Sequence, residues 1–328
     1  MEPIEQKGAA IGVDIGGTNL RAAVVDQTGK IVAFTRTKSP IADPTQGYAR
    51  LVQVIRAVAA QANLQLGQLQ GVGLGIPGWQ DRLSGRLVFA PKMAHWQQIF
   101  DLERLGQELA LPIYVDSDPH VATLGELWVG AGRGGRHLIM ITLGTGIGCG
   151  IVVDGKLYVG RHGMAGELGH IIVSDDATVV CDCGLTGCLE TQAAGPAIAR
   201  QGRAAVESGA VTLIRDLVQG RVDCITTATV FCAAERGDPL AQSIVNRAGE
   251  LIGFGLATLV SLCEPEKIII GGGMAEVGDL LLKPMQQAMA RRCYLIARGY
   301  ITVEFVRAQL GDNAGVIGAA RLAFSNES

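Results

Sequence analysis

The chain has 328 residues, a length that at roughly 150 residues per domain implies about two domains. Hydrophobic residues make up 48% and charged residues 18%, with a net charge of -3. That balance excludes a disordered chain, and it excludes the basic stripe that nucleic-acid binding needs. The longest apolar stretch, 251–263, falls short of the roughly 20 residues of a membrane span. The start, MEPIEQKGAA, carries no apolar core of a signal peptide, so the expected address is the cytoplasm.

In chain order, residues 9–14 read as a strand, 15–19 as a glycine turn, 20–26 as a second strand and 31–36 as a third. A helix over about 46–62 presents Leu51, Val54, Ile55, Val58 and Ala62 at helical spacing. A strand at 71–76 ends at Pro77-Gly78, a helix follows near 102–110, and a strand at 113–116 leads into Ser117-Asp118-Pro119. Strands alternating with helical patterns predict an α/β class with a mixed or parallel sheet. The design then recurs. A strand at 137–143, a glycine turn at 144–148, a strand at 149–154, the Gly155-Lys156 turn and a strand at 157–159 repeat the opening hairpins, which predicts an internally duplicated fold. A long helix over about 240–262 precedes a buried strand at 267–270 and the cluster Gly271, Gly272 and Gly273. The expected domains are 1–117, joined by a C-terminal helix at about 312–328, and 118–311.

Glycine is abundant, 45 of 328 residues, which points to tight turns and to backbone that approaches a ligand closely. Asp14, Gly16, Gly17 and Thr18 combine a carboxylate and a hydroxyl with such a turn. A carboxylate among phosphates calls for a cation between them, and Mg²⁺ fits that place. Gly144, Thr145 and Gly146 offer a second phosphate-contacting turn. Neither turn is a Walker A loop, and the dinucleotide fingerprint fails at Cys149.

Of the eight cysteines, Cys181, Cys183 and Cys188 follow His170 as His-x10-Cys-x-Cys-Gly-x-x-Gly-Cys. One imidazole and three thiolates are a standard ligand set for structural Zn²⁺. Such a site has no open position, so the zinc is expected to shape a loop rather than act as a Lewis acid. Cys149, Cys224, Cys232, Cys263 and Cys293 read as core packing. Glu167 and Glu190 flank the metal loop, and carboxylates held in place there suit a polyhydroxyl ligand.

Together VDIGGTNLRAAVVD (13–26), DSDPHVATLGELWVGAGRG (116–134), TLGTGIGCGIVVDGKL (142–157), GELGHIIV (166–173), CDCGLTGCLE (181–190) and IIIGGGMAE (268–276) resemble the ROK family of sugar kinases, glucokinase-like members in particular. The resemblance runs from about 11 to 320. It implies a duplicated ribonuclease H-like fold of the actin, hexokinase and Hsp70 superfamily, two α/β domains with sugar and ATP in the cleft between them. It implies an Asp general base, matched by Asp118, and zinc on His170, Cys181, Cys183 and Cys188. Sugar contacts are implied for Gly78, Ser117, Asp118, Glu167, His170 and Glu190. ATP and Mg²⁺ contacts are implied for Asp14, Gly16, Gly17, Thr18, Gly144, Thr145, Gly146, Gly271, Gly272 and Gly273.

The activity this implies is transfer of the γ-phosphoryl group of ATP to the 6-hydroxyl of a hexose, glucose first and N-acetylmannosamine or N-acetylglucosamine as the alternative. Relatives are commonly dimers or tetramers. The chain departs from the family pattern at Ser117 and His120, where Asn is usual, and in the loop 91–96, which carries Lys92. A Ser in place of Asn can leave one hydroxyl contact to water, worth about 0.5–1.5 kcal/mol.

Three rival readings stand beside this one. A sugar-responsive repressor needs a helix-turn-helix ahead of the first phosphate motif, which begins about ten residues in. A metal-dependent hydrolase would place Asp116, Asp118 and His120 on one side of an extended segment. A sugar sensor would have lost catalysis, which the retained Asp118 disfavours.

Overall fold

The computed structural model describes residues 8–39, 44–89, 96, 100–175 and 178–324. Its first half opens with three antiparallel strands, β1 (Ala9–Ile15), β2 (Asn19–Asp26) and β3 (Ile31–Lys38), and helix α1 (Pro44–Gln61). Strand β4 (Val72–Ile76), a hairpin of β5 (Gly78–Gln80) and β6 (Leu87–Phe89), helix α2 (Leu102–Leu109), strand β7 (Ile113–Ser117) and helix α3 (Asp118–Val129) complete it. The strand order is β3-β2-β1-β4-β7, with β1, β4 and β7 parallel.

The second half opens with β8 (Leu138–Leu143), β9 (Ile147–Val153) and β10 (Lys156–Leu157). Helices α4 (Leu189–Ala193), α5 (Gly195–Glu207), α6 (Leu213–Leu217), α7 (Thr227–Glu235) and α8 (Pro239–Cys263) lead to β11 (Lys267–Gly271). Then come α9 (Asp279–Arg292), α10 (Tyr294–Ala297), β12 (Glu304–Arg307) and α11 (Ala314–Phe324). Its strand order, β10-β9-β8-β11-β12, repeats the first sheet position for position. The duplication expected from the hairpins is therefore a duplication of whole sheet topology.

Alternation along the strands explains the layers. Ile11, Val13 and Ile15 of β1 and Leu20, Ala22 and Val24 of β2 join α1 and α2 in one core, where Leu51, Ile55, Leu105 and Leu109 are buried. The opposite face carries Ala10, Ala23 and Val25 against Val316, Ile317 and Ala320 of α11. That face is built from small residues because the helix lies almost on the strands. A Cβ built at Gly12 would fall 1.8 Å from the carbonyl oxygen of Val316, and one at Gly73 1.7 Å from that of Ala319.

The chain divides into two compact units, one of residues 1–136, 150–166 and 308–328 and one of residues 137–149 and 167–307. This differs from a boundary after Ser117. Helix α3 belongs with the first unit because it packs on α11, where a Cβ at Gly318 would meet the carbonyl oxygen of Val121 at 1.6 Å. A second correction concerns 116–120, which is not extended. The strand ends at Ser117 and α3 begins at Asp118, with Pro119 in its first turn, where the missing N–H breaks no helical hydrogen bond. The metal-hydrolase reading, which needed three side chains on one face of a strand, loses its geometry. The N-terminal residues 1–7 and the loop residues 91–95, Lys92 among them, lie outside the described residues. Among the described residues no helix is long and apolar enough to cross a membrane.

Replacing Gly318 by Ala sets a methyl group against backbone rather than against a side chain that can turn away. Overpacking of this kind costs about 3 kcal/mol, so G318A is expected to lower the denaturant midpoint at unchanged slope. An unchanged midpoint would contradict the packing described.

Candidate active site

Asp118 owes its position to the junction of β7 and α3. The parallel pairing of β4 with β7 fixes where the strand ends, and α3 starts on the next residue. Asp118 is half-buried as a residue, yet its Oδ1 is enclosed and meets no hydrogen-bond donor among the described residues. Burial pushes its carboxyl well above the ordinary carboxylate range, and the negative charge of Asp14 pushes it further.

Asp14 lies near the end of β1, opposite Arg21 in the antiparallel register of β2. Arg21 Nη1 lies 3.1 Å from Asp14 Oδ2, and Arg21 Nη2 lies 2.8 Å from Asp312 Oδ2. Burial raises the Asp14 carboxyl against the lowering effect of Arg21. Two neighbouring carboxyls with raised pKa values are chemistry that a cation relieves, so Asp14 fits the expected place for Mg²⁺ beside a phosphate chain.

Ser117 is buried, and its N–H donates to Asp116 Oδ1 at 2.8 Å. His120, the departure from the family pattern, is 1% exposed. Its Nδ1 lies 2.7 Å from Asp116 Oδ1 and its Nε2 2.9 Å from the carbonyl oxygen of Ala165. The ring is held between a carboxylate and a carbonyl, both of which accept. Arg82 Nη2 lies 3.5 Å from the other oxygen, Asp116 Oδ2. His120 thus ties the first turn of α3 to the segment that ends two residues before Glu167. Gly78 opens β5, paired with Phe89 of β6.

In the second unit the side-chain ligand atoms of His170, Cys181, Cys183 and Cys188 all lie within 4.8 Å of one another. Cys181 Sγ is 3.4 Å from His170 Nδ1, and Cys183 Sγ is 3.5 Å from Cys188 Sγ. One nitrogen and three sulfurs at this separation fit a tetrahedral ion. Gly187 lets the loop close: its φ is 79° and a Cβ there would meet the carbonyl oxygen of Ser174 at 2.0 Å. His170 turns its other nitrogen, Nε2, toward Glu167 Oε2 at 3.6 Å, the arrangement by which a carboxylate orients a metal-bound imidazole. Of the remaining cysteines, Cys149 and Cys293 are buried while Cys224, Cys232 and Cys263 are half-buried. The core-packing reading therefore holds fully only for the first two.

The two glycine turns differ in what demands glycine. Gly17 and Gly144 face open space, with no atom within 4 Å of an added Cβ. Gly146 is closed off by Glu190, whose Oε2 accepts from the N–H of Ile147 at 2.9 Å. Glu190, expected to contact a sugar, therefore has one oxygen committed to the turn. Gly144 and Thr145 border a pocket of about 470 Å³, together with Gly195, Ala199, Arg203, Thr227, Phe231, Gly273 and Met274. Of the third glycine cluster only Gly273 lines this wall. Gly271 is buried in β11, and Gly272, with φ 86°, is required by the carbonyl oxygen of Leu143, 2.3 Å from an added Cβ. The pocket residues on α5 and α7 escape sequence reading because neither helix is predicted there. The proline of Gly195-Pro196, a helix-start signal, could have located α5.

With this geometry in hand, the sequence matches the ROK family over residues 10–326. It is 38% identical over 323 residues to a glucokinase of Halalkalibacterium halodurans, covering 97% of this chain and 96% of that one. A glucokinase of Streptomyces coelicolor is 36% identical over 319 residues, covering 96% and 98%. The solved structure of a ROK family glucokinase from Streptomyces griseus, in complex with glucose and AMPPNP, superposes with a TM-score of 0.78 at 36% identity and covers 97% of this chain and 99% of that chain. The duplicated α/β sheets are those of the actin and hexokinase fold, and the chain belongs to the ROK family.

Proposed function

We propose that this protein is an ATP-dependent glucose kinase, transferring the γ-phosphoryl group of ATP to the 6-hydroxyl of glucose. The observation that carries the reading is Asp118, a carboxyl with an enclosed oxygen that no protein donor satisfies and a pKa driven upward by burial. A raised pKa makes the ionised form a stronger base, suited to accept the hydroxyl proton as the sugar oxygen attacks phosphorus. The bond from γ-phosphorus to the β,γ-bridging oxygen breaks, the phosphate ester forms, ADP leaves and Asp118 holds the proton.

Asp14 holds Mg²⁺ or its waters, and the ion's role is to neutralise charge on the phosphates. The amides of Gly16, Gly17 and Thr18 and of Gly144 and Thr145 bind phosphate oxygens. Ala199, Phe231 and Met274 give the 470 Å³ pocket an apolar wall for a purine. Glu167, His170 and Glu190, with Gly78 and Ser117, bind sugar hydroxyls. Zinc on His170, Cys181, Cys183 and Cys188 fixes the loop that carries these groups. The low net charge supports small-molecule substrates rather than nucleic acid, and the family resemblance supports a cytoplasmic homodimer or homotetramer.

The pH behaviour follows from the direction of the Asp118 shift. A folded-state pKa above the unfolded value of about 3.9 favours the protonated form. Its contribution to stability is therefore present in acid and lost as pH rises through the folded value. Asp118→Asn is expected to lower kcat by about 10²- to 10⁴-fold with glucose affinity nearly kept. The same variant should unfold at a higher temperature than the parent at neutral pH, with the difference vanishing near pH 3. Undiminished turnover would remove Asp118 from the mechanism.

Across glucose, N-acetylmannosamine and N-acetylglucosamine, ADP release should be fastest with glucose, and a preference for an N-acetylated sugar would reassign the substrate. Metal analysis of the purified protein should return about one zinc per chain, and chelation should raise the KM for glucose. Protein free of zinc at full activity would exclude the metal site.

A further inference from the structure

The two oxygens of Glu190 have different partners. Oε2 accepts from the N–H of Ile147 at 2.9 Å, while Oε1 accepts no hydrogen bond recorded among the described residues and lies 3.9 Å from the Cβ position of Gly146. Ile147 follows directly on the turn Gly144-Thr145-Gly146, whose first two residues border the 470 Å³ pocket. The turn is internally closed, with the N–H of Gly144 donating to the carbonyl oxygen of Gly146 at 3.0 Å. It is braced from outside by the N–H of Gly195, which donates to the carbonyl oxygen of Gly144 at 2.9 Å, and by Glu190. One carboxylate therefore touches the nucleotide turn with one oxygen and has the other available to a hydroxyl.

We propose that Glu190 couples the two substrates: a sugar hydroxyl on Oε1 fixes the carboxylate, and the carboxylate holds the Gly144–Gly146 turn in its phosphate-binding shape. Glu190 is then a positioning residue for the nucleotide as well as a sugar ligand. The inference rests on the glucose-kinase reading for the identity of the sugar. A charge-assisted bond to a backbone N–H is stronger than a neutral one, and a carboxylate with both oxygens engaged loses the freedom to swing off Ile147. Ordering by the first ligand lowers the cost of binding the second, and the coupling is reciprocal.

Gly146 supplies the decisive variant. A Cβ there would lie 2.4 Å from Glu190 Oε2, the mobile end of a side chain, while no backbone atom lies among its nearest neighbours. Gly146→Ala should therefore displace the carboxylate from Ile147 without breaking the fold. The test is titration calorimetry of the full-length, zinc-loaded protein with a non-hydrolysable ATP analogue, with and without saturating glucose.

Glucose should tighten analogue binding to the parent protein by at least about 5-fold, and the analogue should tighten glucose by the same factor. In G146A and in Glu190→Ala the ratio should fall to about 1, with the KM for ATP raised even at saturating glucose. Glu190→Gln, whose amide oxygen can still accept from Ile147, should keep most of the coupling. If G146A fails to fold, the contrast between E190A and E190Q decides. A parental ratio in G146A or E190A overturns the proposal, and so does a ratio of 1 in the parent protein. Those results bear on the coupling alone, whereas failure of the parent protein to bind or phosphorylate glucose would overturn the kinase reading itself.

Discussion

Backbone-to-backbone contact of α11 with the first sheet and with α3 is the constraint on which the site in that unit depends. Gly12 and Gly73 let α11 lie on β1 and β4, and Gly125 and Gly318 let α3 cross α11, with carbonyl oxygens of the opposing helix within 2.4 Å of the absent Cβ positions. At the head of α11, Gly315 lies over Asp14, whose Cγ would be 2.9 Å from an added Cβ. At the head of α3 stands Asp118. The two carboxyls feel one another's charge because two helices and two strands approach more closely than larger side chains would allow.

Buried acids in this unit separate by how fully they are satisfied. Glu126 is wholly buried, and its two oxygens accept from the N–H groups of Ala131 at 2.7 Å and Leu310 at 2.8 Å. It joins the end of α3 to the segment entering α11. Asp116 is answered by His120, the N–H of Ser117 and Arg82. Asp116 and Asp118 each keep an enclosed oxygen without a hydrogen-bond donor among the described residues, but Asp116 Oδ2 has the Arg82 guanidinium 3.5 Å away. An unmet buried acceptor costs stability, and the proposed transfer of a substrate proton to Asp118 would answer its own. Glu126 and the engaged oxygen of Asp116 tie the two ends of α3 to their neighbours and so hold Asp118 at the head of the helix.

Much of this was legible in the sequence where the governing interactions are local. The hairpin of β2 and β3 turns on Asp26, whose Oδ1 accepts from the N–H groups of Thr28 and Lys30 at 2.8 and 3.1 Å, a turn chemistry that Asp-x-x-Gly-Lys announces. The metal ligands were legible because three of the four fall within eight residues. Helix α3 was not, since Pro119 reads as a strand breaker until one sees that it occupies a first turn. Helix α7, apolar on several sides, gives no 3.6-residue stripe, and with it went Thr227 and Phe231. The bond from Ile147 to Glu190 spans 43 residues, and no local pattern encodes a contact made only when β9 and α4 are folded together.

The glycine excess, the most unusual feature of the composition, resolves into two physical demands that the sequence alone does not distinguish. At Gly12, Gly73, Gly318 and Gly272 the absent Cβ makes room for the protein's own backbone, so a substitution there acts on stability first. At Gly17, Gly144 and Gly273 nothing within 4 Å would meet a side chain, and none of the three has a positive φ that only glycine tolerates. Neither packing nor conformation accounts for glycine there, and the phosphate contacts proposed for Gly17 and Gly144 would use that open space. Gly17 sits in the first glycine turn of one unit, and Gly144 and Gly273 border the pocket in the other. Gly146 stands between the classes, its space taken by a carboxylate rather than by backbone, and that is why a change there should be felt in binding before it is felt in folding.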